Sequence, residues 1–217
     1  MSNHILFVFE GRVTEPNITN SLSKFFIQES GKTIIRASYG FNIYKLYKEL
    51  SEDEDQELLE LLKIQIRKRD KILENDQAIL DIEDADSLSD IYLFFDYDCH
   101  CGNASDDKLL QMLSIFNDPM DKGLLCISYP MVESIKHAFT CCTEQVTHPT
   151  LELDKYKKFV NKSSNADIRY RNWGEYDLSV WKEIININLH RVSELVCGLN
   201  KLPEIPVEQI DIFNAQL

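Results

Sequence analysis

No apolar run in this chain approaches the roughly 18 to 20 residues that a bilayer-spanning helix requires. The opening Met1-Ser2-Asn3-His4 lacks the basic stretch of a secretory leader, and the apolar run Ile5 to Phe9 is too short for its hydrophobic part. A cytoplasmic protein without membrane attachment is therefore expected. The six cysteines, Cys99, Cys101, Cys126, Cys141, Cys142 and Cys197, show no pair of C-x-x-C motifs at finger-like spacing, which sets aside a zinc finger and points to reduced thiols. Cys99-His100-Cys101 is the one cluster among them, and neighbouring residues so close in sequence rarely close on one tetrahedral ion. Positive charge is scarce too. With 23 Lys and Arg against 36 Asp and Glu, the net charge of −13 excludes a general nucleic-acid coat protein, whose affinity for phosphates comes from Lys and Arg. No internal repeat or low-complexity linker divides the chain.

What remains is ordinary for a globular protein: 44% hydrophobic and 27% charged residues in a chain of 217, long enough to bury a real core. The acidity is concentrated. Residues 51 to 90 hold fourteen Asp and Glu against five Lys and Arg, so nine of the thirteen net negative charges lie in that segment.

Four short β-rich runs, His4 to Phe9, Lys32 to Ala37, Ile91 to Phe95 and Gly123 to Ser128, read as strands, the first and third as strands buried on both faces. Between and after them the apolar spacing predicts helices over Pro16 to Gln28, Phe41 to Leu50, Asp106 to Phe116 and Met131 to Thr140. Ser51-Glu52-Asp53-Glu54 reads as a capping box opening one long, partly exposed helix to about residue 75, and Asp76 to Asp90 as an irregular acidic stretch. Strands alternating with helices imply a parallel α/β sheet. From about 151 to 217 the pattern is helical, over Leu151 to Asn161 and Leu178 to Leu199, which sets a C-terminal helical region apart from an α/β domain over 1 to 150.

Ligands of open parallel sheets bind beyond the carboxyl ends of the strands. Two groups of acids fall there: Glu10 with Glu15 after the first strand, and Asp96 with Asp98 after the third. If the backbone stays extended, residues two apart point the same way, so Asp96 and Asp98 would face one ion. Carboxylates without thiolate or imidazole partners favour Mg²⁺ or Mn²⁺. The same acids would also serve as turn and helix caps, but two strands ending in acids at one edge repel each other unless a cation is present.

The strings Ile5-Leu6-Phe7-Val8-Phe9-Glu10-Gly11, Thr14-Glu15-Pro16 and Phe94-Phe95-Asp96-Tyr97-Asp98 resemble the TOPRIM domain of topoisomerases, primases and OLD-type nucleases. The E-G-x-x-T-E-P opening and Tyr129-Pro130-Met131-Val132-Glu133-Ser134 are closer to the RloB-like and abortive-infection TOPRIM proteins of bacterial phage-defence systems. The resemblance covers about residues 4 to 140, with the acidic helical insertion at about 50 to 90 atypical. It implies a small TOPRIM-like sheet flanked by helices, and a Mg²⁺-dependent hydrolase cleaving RNA, with tRNA one candidate, or DNA. Glu10, Asp96 and Asp98 would be metal ligands, Glu10 also a general acid or base, and Glu15 an acid beside a second ion. Glu133 would complete the site. By its position two residues past Asp98, His100 reads as a loop histidine, a phosphate contact or an aid to proton transfer. No lysine is assigned; Lys122 and Lys136 are candidates by proximity. A partner ATPase and a homodimer belong to the same reading, and the defence context rests on resemblance alone.

Between Lys155 and Trp173, Lys155, Lys157, Lys158, Arg169 and Arg171 alternate with Tyr156, Phe159, Tyr170 and Trp173, a pattern that suits phosphates and stacked bases, or a solvated helix face over core rings. Two other readings stand beside the nuclease. One is a module without chemistry that docks a partner through its acidic segment; the other is a phosphotransferase with Asp96 as nucleophile, which the equally placed Glu10 disfavours.

Overall fold

Strand β1 (His4–Phe9) sends Leu6 and Val8 into one apolar cluster and Ile5, Phe7 and Phe9 into another, all five at 5% exposure or less. Period-two alternation with both faces buried is the property of a sheet covered on both sides. The computed structural model describes residues 4–27, 31–52, 56–137, 153–162, 168–199 and 201–216.

β1 pairs in parallel with β2 (Thr33–Ser38) on one side and with β3 (Leu88–Asp96) on the other, and β3 pairs in parallel with β5 (Gly123–Ser128). The edge is β4 (Asn117–Asp118), two residues antiparallel to β5, giving the order β2-β1-β3-β5-β4. The sheet is therefore mixed, not wholly parallel: Asn117-Asp118, which read only as a helix breaker, turns back along β5. The four strands expected from the sequence are all present.

Helices cover both faces. The larger core gathers Leu6, Val8, Leu93, Phe95 and Leu125 from the sheet with residues of α2 (Ile43–Glu52), α3 (Leu58–Arg67), α4 (Glu74–Leu80), α5 (Asp106–Ile115) and α8 (Gln209–Asn214). On the other face Phe7 meets Tyr92 and Phe94 edge-on, at ring-centroid distances of 5.7 and 5.3 Å. Helix α1 (Thr14–Phe26) brings Ile18 into a cluster with Tyr170, Tyr176, Trp181 and Ile184, the last two from α7 (Leu178–Cys197). Helix α6 (Leu153–Asn161) packs Tyr156 and Val160 against Met131. The C-terminal helices thus share the cores of the sheet: Phe213 of α8 lies 5.9 Å from the Tyr97 ring, and the Trp181 indole donates to Ser21 Oγ at 2.9 Å.

The acidic segment departs from the expected single helix. Ser51 is no N-cap; it lies in α2 and its hydroxyl donates to the Tyr47 carbonyl. The chain then forms α3 and α4, separated where Arg69 leaves the helix to bind the Asp76 carboxylate and the Ser38 carbonyl. Periodicity alone cannot place that break, because apolar residues continue on both sides of it. Leu58, Leu59, Leu61, Leu62, Ile66, Ile79 and Ile82 are all buried, so the segment is core on one side and acidic on the other. Part of Asp76 to Asp90 is regular as well, holding the end of α4 and the start of β3. Of Met131 to Thr140, Val132–His137 forms a 3-10 turn, and residues 138–140 lie outside the described part.

Candidate active site

Parallel pairing brings the ends of β1 and β3 side by side, with Phe9 opposite Phe94. The backbone carries Glu10 on from there under tight control. Its N–H donates to the Phe94 carbonyl at 3.1 Å, and its carbonyl accepts from Gly40 N–H beyond β2 at 3.0 Å. The Asp96 N–H in turn donates to Glu10 Oε2 at 3.2 Å, so two acids 86 residues apart are tied into one structure. Asp96 Oδ1 accepts from the Val132 N–H at 2.8 Å, which fixes its other side. Glu15 arrives from the first turn of α1, 9% exposed, with its carboxylate folded over Gly11. A Cβ at position 11 would stand 2.8 Å from Glu15 Oε2, so glycine is what lets that carboxylate lie close to the strand end.

Charge at this edge is uncomfortable. Burial, then the Asp98 and Glu15 carboxylates, push the Glu10 pKa up to about 7 in spite of the Asp96 amide. Burial, then Glu10, Glu15 and Asp98, push Asp96 up to about 9, and the Val132 amide only partly offsets them. These are the marks of a like-charge cluster in a partly desolvated place.

Asp98 is held differently from the extended-backbone expectation. The strand ends at Asp96, and Asp98 adopts a left-handed conformation with φ +46°, which aspartate tolerates better than most residues. The turn is fixed by Tyr97, whose N–H donates to the Ser128 carbonyl, whose carbonyl accepts from the buried Tyr44 hydroxyl at 2.8 Å, and whose own hydroxyl donates to Asp106. Cys101 Sγ lies 3.5 Å from Asp98 Oδ2. Asp98 therefore joins the cluster through its field on Glu10, not through a shared strand direction.

Glu133 is 4% exposed and already paired, with Lys157 Nζ at 2.5 Å. Lys157, expected from the basic-aromatic stretch to meet a phosphate, is instead bound to Glu133, beside the acids. Its pKa is raised by the bond to Glu133, and it also feels Asp96 and Glu15. Its link to the cluster spans the distance from α6 to β3, so no local pattern could have shown it; the same holds for the Val132 amide. Of the two lysines considered for that role, Lys136 is buried, donates to Asn161 Oδ1 at 2.8 Å and lies over the Trp173 ring at 4.3 Å. Lys122 precedes Gly123, at the opposite end of β5. His100 is exposed on the turn after Asp98. In the basic-aromatic stretch, Arg169 is bidentate to Glu183 at 2.7 and 3.2 Å, Lys155 and Lys158 are exposed, Arg171 is half-buried, and Tyr156 and Tyr170 are core residues.

The donor set suits a hard divalent cation, being carboxylate throughout. Its placement is less complete: among the described residues no three His, Cys, Asp or Glu side chains stand close enough together to hold a metal ion. Cys99, Cys101, Cys126 and Cys197 are free thiols, and Cys141 and Cys142 lie outside the described residues. Among the described residues no helix is long and apolar enough to cross a membrane. Comparison with protein-family models, curated proteins and solved structures finds no match to this chain.

Proposed function

We propose that this chain is a TOPRIM-type, divalent-metal-dependent nuclease that cleaves RNA, with tRNA one candidate, or DNA, as the toxic effector of a bacterial anti-phage system. The observation that carries the reading is the pair Glu10 and Asp96: two acids at neighbouring parallel strand ends, the Glu10 carboxylate accepting from the Asp96 backbone N–H, each carboxylate destabilised as an anion by burial and by further acids. Glu10, Asp96 and Asp98 would hold Mg²⁺ or Mn²⁺, with Glu15 beside them. When bound, the ion polarises the scissile phosphate and offsets charge on the leaving oxygen. Glu10, with its pKa near 7, is suited to accept the proton of an attacking water through the oxygen that the Asp96 amide leaves free. Lys157, beside Glu133, offers an ammonium to a phosphate oxygen. A partner ATPase and a homodimer are part of the same proposal.

The test is direct. Purified protein incubated with total tRNA, plasmid and single-stranded DNA should cut at least one of them with Mg²⁺ or Mn²⁺ and none in EDTA. Full cleavage by Glu10→Gln or Asp96→Asn would overturn the assignment.

The incomplete convergence of the acids favours one second reading: a TOPRIM-like module without chemistry that docks a partner ATPase or other protein through the acidic segment. Exposed Asp81, Glu83, Asp84 and Asp86 give that segment a charged outer face. Calorimetric titration with Mg²⁺ separates the two, because a docking module gives no heat that Asp96→Asn removes.

A further inference from the structure

The short stretch that joins β2 to α2 grips both arms of the carboxylate site. Gly40 N–H donates to the Glu10 carbonyl at 3.0 Å, and four residues on the Tyr44 hydroxyl donates to the Tyr97 carbonyl, immediately before Asp98, at 2.8 Å. Between them Asn42 donates to Cys101 Sγ at 3.3 Å and to Asn103 Oδ1 at 3.4 Å, on the turn that follows Asp98, while its own Oδ1 accepts from the Lys45 N–H at 3.0 Å. The Tyr44 bond is the sheltered one, since that residue is 2% exposed. Asp98 stands at φ +46°, a conformation that residues other than glycine keep only where their surroundings hold them. The holding is done at Tyr97: its N–H is bound to Ser128, its hydroxyl to Asp106 at 2.7 Å, and its carbonyl to Tyr44.

We propose that Tyr44 is a positioning residue of the carboxylate site: through the Tyr97 carbonyl it holds the left-handed turn from which Asp98 joins Glu10 and Asp96, and so sets the affinity of the site for Mg²⁺. This rests on the metal-dependent reading and deepens it. The described acids are too widely spaced to close on a bare ion, but Mg²⁺ takes one or two carboxylates directly and keeps several of its waters, so a spread set of acids suits the hydrated ion. Affinity then depends on how well the outlying carboxylate is held beforehand, because a group already in place has less freedom to lose on binding. Tyr44 touches neither ion nor substrate in this role; it acts only through the backbone before Asp98.

Calorimetric titration with Mg²⁺, in the absence of nucleic acid, tests the role. Tyr44→Phe keeps the ring and loses one hydrogen bond, and should raise the Mg²⁺ dissociation constant about three- to tenfold. Tyr39→Phe is the control: Tyr39 is equally buried, but its hydroxyl donates to Glu49 at 2.6 Å, so its loss should leave the constant unchanged although both variants lower the melting temperature. In cleavage, Tyr44→Phe should raise the Mg²⁺ concentration needed for half-maximal rate and leave the maximal rate at that of the native chain. A second pair carries the test should Tyr44→Phe not fold. Asp106→Ala, at the surface, removes the acceptor of the Tyr97 hydroxyl and should weaken Mg²⁺ binding, whereas Asp107→Ala, which takes the same charge from the same exposed turn of α5, should not. Equal Mg²⁺ affinity in native and Tyr44→Phe proteins, equal losses in Tyr44→Phe and Tyr39→Phe, or, in the second pair, equal affinities for Asp106→Ala and Asp107→Ala, overturns the positioning role and leaves the metal reading standing. Affinity that depends on Tyr44, with no polymer cleaved, keeps the positioning role and overturns the nuclease. A native chain that binds no Mg²⁺ overturns both.

Discussion

Strand β3 carries an aspartate near each end, and the two are treated in opposite ways. Asp90, near its start, lies 2.6 Å from Lys32 Nζ and accepts from the Ser89 hydroxyl; burial alone would push its pKa up, but these partners outweigh it and hold it below the ordinary value. Asp96, six residues on, has one backbone amide, that of Val132, and otherwise carboxylates as neighbours, and its pKa goes up to about 9. Asp76 with Arg69 follows the first pattern. Where an acid serves the fold, the chain supplies the cation. At the carboxyl ends of β1 and β3 it gathers acids instead, which costs stability and is the arrangement expected of a functional site.

The comparison breaks most visibly in activity. Asp96→Asn and Glu10→Gln should each reduce Mg²⁺-dependent cleavage by about a thousandfold or more, since several kcal/mol of transition-state stabilisation depend on the ion they would hold. Asp90→Asn should leave cleavage within about threefold, because an ion pair of this kind contributes about 1 kcal/mol or less, and only to the fold. Equal losses in the two sets, measured as initial rates, would erase the distinction between the ends of the strand. Next in size is the response to the ion itself. At a hundredfold excess over its dissociation constant Mg²⁺ should stabilise the protein by about 2.7 kcal/mol. For a chain of this length that is a rise in melting temperature of roughly 2 to 4 °C per kcal/mol. Scanning calorimetry should show this rise in the native chain and in Asp90→Asn, and none in Asp96→Asn.

The strands were legible because they are extreme: His4 to Phe9 has no polar interruption after its first residue, and only a doubly covered strand uses such a run. Glu10 and Asp96 were legible for the same reason, each being the first acid after such a run. The antiparallel β4 was not, as two residues carry no period. The break between α3 and α4 was hidden because Arg69 leaves the helix for partners at Asp76 and Ser38, a tertiary choice no local pattern encodes. Asp98 misled the extended-strand argument because its position depends on a left-handed residue held by Tyr97, which is anchored from α2, α5 and β5. Lys157 and the Val132 amide reach the cluster from far along the chain, where spacing has no voice.

The smallest effects come from titration. Glu10 and Asp96 hold their protons more tightly folded than unfolded, so their contribution is fully present below the unfolded values of 4.5 and 3.8 and is lost as pH rises through about 7 and then about 9. In EDTA the melting temperature should fall across that interval by an amount worth at least about 1.4 kcal/mol, the equivalent of one pKa unit. Asp90, with its pKa lowered, works in the other direction: it stabilises above its unfolded value and loses that only as the pH falls through its folded one. Asp96→Asn should therefore flatten the alkaline fall, and Asp90→Asn should leave that fall intact while lowering stability by about 1 kcal/mol or less at neutral pH. Added Mg²⁺ should shift the alkaline fall upward in the native chain, because binding requires the deprotonated acids and offsets their repulsion. An alkaline fall of the same size in native and Asp96→Asn proteins would show that Asp96 is an ordinary surface acid.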